Sequence, residues 1–141
     1  MKNKTRIAAF LIALALVLGV GSLWAQSNGA TAKIPFNFQV RGQLMTAGVY
    51  SLHTTEIQGL IKIRNESTGH TTFIPALIPE TKKEGEGKLV FRRYGELYFL
   101  SRIWLPYQSV GHVMTPSRQE RELQAKAATK VELAFTAQSR R

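Results

Sequence analysis

The sequence predicts a mainly β domain: an antiparallel β sandwich or small β barrel with one helix near the C terminus. Apolar residues recur at every second position in several short runs after residue 33, and glycine- or asparagine-containing turns separate those runs. One stretch only, opening at Ser117, carries a helix-start signal. A chain of 141 residues allows one domain, and 44% hydrophobic with 20% charged residues is the balance of a chain that packs a core.

The first element precedes the domain. Lys2, Lys4 and Arg6 lead into a nearly unbroken apolar run from Ile7 to Val20, followed by small residues around Gly21, Ser22 and Ala25. That order is the signature of a secretory signal peptide, with cleavage expected after Ala25. A retained anchor is the alternative, because Ile7 to Ala25 approaches the length that crosses a bilayer. Residues 1–25 are therefore assigned to export and 26–141 to a single β-rich domain, with flexible ends at about 26–31 and 138–141. An exported chain without cysteine suits a bacterial periplasm or a secreted fate, where a domain of this size needs no disulfide staples.

Ile34, Phe36, Phe38 and Val40 alternate with polar partners, which predicts a first strand near a sheet edge because Pro35 cannot donate to a ladder. Ala47-Gly48 reads as a turn into a second strand, Val49 to His53. Leu60 to Arg64 and Thr71 to Ala76 flank the polar turn Asn65 to Gly69, and Pro79 to Gly87 reads as a solvated loop. Asn65-Glu66-Ser67 matches a glycosylation pattern that arises often by chance.

Lys88 to Trp104 carries the strongest local signal. Gly95-Glu96 fits a type II′ hairpin loop, which sets Tyr94 opposite Leu97, Arg93 opposite Tyr98, Arg92 opposite Phe99 and Phe91 opposite Leu100. With regular pairing throughout, Val90, Tyr94, Leu97, Phe99 and Ile103 share one face, and Leu89, Phe91, Tyr98, Leu100 and Trp104 the other. Both faces are largely apolar, so the hairpin is expected to pack on a facing sheet and on a helix. That helix is expected over Arg118 to Ala128, behind a capping box of Ser117 and Glu120, and Val131 to Phe135 alternates as a last strand, with a helix continued through Leu133 as the alternative.

The runs Ile34-Pro35-Phe36-Asn37-Phe38-Gln39-Val40, Ala47-Gly48-Val49-Tyr50, Lys88 to Gly95, Tyr98-Phe99-Leu100-Ser101 and Ser117 to Glu122 resemble a family of small exported β-rich proteins of soil bacteria. That family has no established activity. The resemblance implies export and a β-rich domain and transfers no catalytic residue.

No constellation for catalysis, metal or cofactor emerges from the residues. Without cysteine there is no thiolate chemistry, and without aspartate no Ser-His-Asp triad. His53, His70 and His112 lack ligand spacing, no serine sits in G-x-S-x-G, and no glycine motif cradles phosphate. Glu120 and Glu122, two apart on a helix, point to different sides and read as helix-start charges. Arg92 and Arg93 interrupt the apolar hairpin, and with Tyr98 they form the candidate ligand-binding set, as anchors for an anion or as cation–π partners.

With 19 Lys+Arg against 9 Asp+Glu, Lys82, Lys83, Arg102, Arg140 and Arg141 extend a basic surface toward anionic envelope components or a protein partner. Nucleic acid is an improbable partner for an exported chain, and membrane contact is expected only through an uncleaved signal segment. The leading expectation is a non-enzymatic envelope or extracellular interaction protein. A carrier of a small apolar or anionic ligand and an unrecognised hydrolase are the alternatives. A lipid-facing outer-membrane barrel fits poorly, since Lys62, Arg64, Arg92 and Arg93 break any clean apolar band.

Overall fold

A computed structural model describes residues 29–76, 78–81, 87–106, 108–126 and 131–139. The expected export segment 1–25, the loop interior 82–86 and the end of the expected helix at 127–128 lie outside the described residues.

Among the described residues, eleven strands and one helix follow in order. They are β1 (Gly29–Ile34), β2 (Phe38–Val40), β3 (Gln43–Met45), β4 (Gly48–Thr54), β5 (Leu60–Asn65), β6 (Thr71–Pro75), β7 (Ile78–Thr81), β8 (Gly87–Tyr94), β9 (Leu97–Trp104), β10 (Val110–Val113), α1 (Arg118–Lys126) and β11 (Val131–Ser139). The strands pair in the order β3-β2-β9-β8-β11-β1-β4-β5-β6, and β10 adds to β9 and carries β7 on its far side. All of these pairs are antiparallel except β2 with β9. The result is a curled, half-barrel sheet with a single helix near the C terminus.

Pro35 does not place a strand at an edge, since β1 lies between β11 and β4 and β2 between β3 and β9. The expected first strand is two strands, because the missing donor ends β1 at Ile34, and the chain resumes as β2 in the other half of the sheet. All four alternating apolar residues still point inward: Ile34, Phe38 and Val40 are buried, and Phe36 packs against the core. Residues 29–31 and 138–139, expected to fray, are paired instead, Ala30 with Ser139 and Thr31 with Gln138. That two-residue ladder joins the halves of the sheet. The last strand, expected over Val131 to Phe135, runs on to Ser139 to make it.

The far ends of the path, β3 and β6, share no ladder, and side chains bridge them. Gln43 accepts from the Thr72 hydroxyl at 2.6 Å through Oε1, and its Nε2 lies 2.9 Å from His70 Nε2. Aromatic rings fill the space inside the curl. Phe36 stacks on Tyr98 with centroids 3.9 Å apart and meets Phe91 and Phe135 edge-on, and Phe38 meets Tyr50 and Phe91.

Two turns follow their residue chemistry. Gly95 takes φ +60° while Glu96 does not, as a type II′ turn requires. Asn65 is buried and accepts from the amides of Ser67 and Thr68 at 2.9 and 3.0 Å, so its side chain ties the β5–β6 turn and is not presented to a glycosylating enzyme in the fold.

The hairpin β8–β9 pairs as expected from Tyr94 to Phe91 and then departs. Val90 pairs with Arg102, not Ser101, so Ser101 is an extra residue in β9. Its hydroxyl donates to the Val90 carbonyl at 2.9 Å, and its own carbonyl accepts from Met114 N at 2.8 Å. The bulge exchanges the faces of all that follows. Ile103 turns to the core opposite Leu89 and is fully buried, and Trp104 turns outward opposite Lys88, the reverse of the regular alternation. The expected loop at residues 79–87 also changes, since Pro79 to Thr81 belong to β7 and pair with β10.

Candidate binding groove on the outer sheet face

Because of the bulge at Ser101, one row of side chains crosses the outer face through Trp104 and a second through Arg102. Glu80 of β7 lies opposite Gly111 of β10, Trp104 of β9 opposite Lys88 of β8, and Lys88 opposite Thr136 of β11. Gly111 links the two ends of that row. A Cβ on Gly111 would overlap the six-membered ring of Trp104, so the indole lies directly over the glycine backbone. In the second row Val113, Arg102, Val90 and Ala134 are successive partners.

These rows line an open groove of about 510 Å³. Arg102 holds its centre, with Nε 3.2 Å from Glu80 Oε2 and one terminal nitrogen 3.4 Å from Glu132 Oε2. The guanidinium donates to Glu132 and meets Glu80 as an ion pair without hydrogen-bond alignment, so it lies between two carboxylates. Lys88 adds a solvent-exposed cation. The four charges cancel, so the groove carries no net field although the chain as a whole is strongly basic.

Helix α1 covers the neighbouring part of the same face. Its Glu120 is the one buried residue of its nine, and the carboxylate meets Arg92 at 3.1 Å. Ser117 Oγ accepts from Glu120 N at 3.2 Å as a cap should, but the reciprocal half of the expected capping box is replaced by the arm to Arg92. Tyr94 and Phe99 lie on that face, buried and edge-to-face at 5.8 Å.

The sequence-derived ligand set is thereby divided between two faces. Arg92 lies under the helix. Arg93 and Tyr98 are on the core side, where the guanidinium sits 5.6 Å from the Tyr98 ring and also reaches the Gly95 carbonyl and Glu96. Tyr98 is held from its other side by Phe36. The histidines are dispersed: His53 in β4, His70 against Gln43, and His112 with Nδ1 3.3 Å from the Ala76 carbonyl. Among the described residues no group of three His, Cys, Asp or Glu could hold a metal.

No family model, curated protein or solved structure matches this chain. Trp104 and Glu80 escape the sequence reading for separate reasons. A regular hairpin buries the first, and an apparent loop holds the second. Gly111 within the short run Val110 to Val113 was the available signal, since a strand glycine often marks a close approach.

Proposed function

We propose that this protein is exported and works outside the cytoplasm as a binding domain, not an enzyme, engaging an envelope or extracellular component through the outer-face groove. The observation that carries this reading is Trp104 laid flat over Gly111 beside an Arg102 clamped by Glu80 and Glu132. A rigid aromatic next to pre-oriented donors and acceptors is a recognition surface that loses little freedom on binding. Export rests on the basic, apolar and small-residue order of residues 1–25. The excess of cations elsewhere on the chain draws it toward an anionic envelope by long-range attraction, and the groove supplies the selectivity.

Fractionation of the native host with intact-mass measurement tests the first half. A periplasmic or secreted form beginning at Gln26 is expected, and a full-length cytoplasmic protein would overturn it. Sedimentation with isolated envelopes tests the second half. Binding that Trp104→Ala abolishes is expected, and equal binding by the variant removes the groove from the reading.

A further inference from the structure

Resting on the reading of the groove as a binding site, the geometry points to an uncharged glycan chain as its ligand, stacked on Trp104 and hydrogen-bonded by Arg102, Glu80 and Glu132. Charge selects against the alternatives first. Lys88 and Arg102 are balanced by Glu80 and Glu132, so an anionic polymer such as nucleic acid or an acidic lipid surface gains nothing here that it would not gain on any basic patch of the chain. An amphipathic peptide helix needs an apolar trough, and an added strand would pair along the outer edge of β7, with β10 between it and the Trp104 and Arg102 of β9. The groove is a sheet face with four charged side chains.

A sugar ring matches what is present. Its C–H face carries partial positive charge and suits the electron-rich face of an indole, and Gly111 lets that indole lie flat against the sheet. Vicinal hydroxyls each donate and accept. A hydroxyl pair therefore accepts from the terminal nitrogens of Arg102 while donating to Glu132 or to the second oxygen of Glu80, because Arg102 Nε and Glu80 Oε2 are buried against each other. The lining comes from four strands, β7, β9, β8 and β11, and with β10 between β7 and β9 it extends over five strand positions from Glu80 to Ala134. Four inter-strand spacings give about 19 Å, long enough for several linked sugar units and not for one alone.

Trp24 and Trp104 are the only tryptophans, so the full-length protein carrying Trp24→Phe reports on the groove by its own emission, whether or not residues 1–25 are removed. The probes are cellohexaose, laminarihexaose and maltohexaose, with the anionic hexamer of galacturonic acid at low and high salt. The expected result is a saturable change in Trp104 emission with at least one neutral hexamer, unchanged at high salt. Calorimetry with Trp104→Ala is expected to show affinity lower by about tenfold or more. Glu132→Gln, at a half-exposed position that does not hold the core, keeps the fold and is expected to weaken binding about threefold. Binding of the anionic hexamer alone, lost at high salt, overturns the inference, as does binding of no hexamer. A cytoplasmic protein that binds a neutral hexamer defeats export and leaves this site intact. An exported protein that binds envelopes through Trp104 but no neutral hexamer defeats the glycan alone.

Discussion

Glu120 leaves its own helix cap to meet Arg92 of β8 at 3.1 Å, with side chains only 4% and 11% exposed. The helix RQERELQAK presents no broad apolar stripe, so this ion pair stands where a hydrophobic face would usually dock. Removing one partner leaves a buried charge uncompensated. Glu120→Ala is expected to cost about 3 to 5 kcal/mol in urea unfolding, and Arg92→Met with Glu120→Leu to recover much of that. Glu122→Ala, breaking the exposed Arg118–Glu122 pair, is expected to cost about 0.5 kcal/mol or less. Equal costs for Glu120→Ala and Glu122→Ala would show that the helix does not depend on Arg92.

Gln43 connects the two ends of the strand path through Thr72 and His70. Gln43→Ala is expected to lower stability by about 0.5 to 1 kcal/mol, the worth of partly exposed hydrogen bonds. Hydrogen exchange should quicken in β3 and β6 first, with β8 and β9 unchanged. Uniform acceleration across all strands would contradict a local seam.

Gly111→Ala places a methyl group where the Trp104 ring lies. The expected cost is about 1 to 3 kcal/mol, with a red shift in Trp104 emission as the indole is pushed into water. An unshifted spectrum would mean that the ring does not rest on this glycine. Gly95→Ala has open space but φ +60°, and is expected to cost about 1 kcal/mol with no change in emission.

Ser101 sets which residues after Leu100 face inward. Ser101→Ala loses the hydrogen bond to the Val90 carbonyl and is expected to cost about 1 kcal/mol. Deleting Ser101 leaves Val90 opposite Arg102 and Leu89 opposite Ile103 in a regular ladder, so Ile103 stays in and Trp104 out, and circular dichroism is expected to show a folded chain destabilised by about 1 to 3 kcal/mol. An unfolded deletion variant would show that the extra twist of the bulge is indispensable.

The fold class was legible because period-two alternation survives burial on one face. Ile34, Phe38, Ile61, Ile63, Leu89 and Phe91 all reach the core from such runs. Turn chemistry was legible where a glycine had one use, as at Gly95. What escaped was non-local. Nothing adjacent to Ser101 announces that it is supernumerary, since the partner that makes it so lies across the hairpin. Nor does Pro79-Glu80-Thr81 look like a strand until β10 is beside it. Arg92 and Arg93 stood out as cations in an apolar run, but neighbours in a strand necessarily face opposite ways, and Glu120, which pairs with Arg92, and Phe36, which stacks on Tyr98, come from distant segments.

β1 pairs with β4 over six residues and with β11 over two, so its second edge is closed only by the last strand of the domain. A chain that emerges N terminus first, from a ribosome or through a narrow pore, can assemble the meander β1-β4-β5-β6 and the hairpin β8–β9 on its own. The continuous ladder from one to the other through β11 forms only when the last residues arrive. Contacts of such sequence separation form late and slowly, which leaves the chain threadable for as long as its tail is held back.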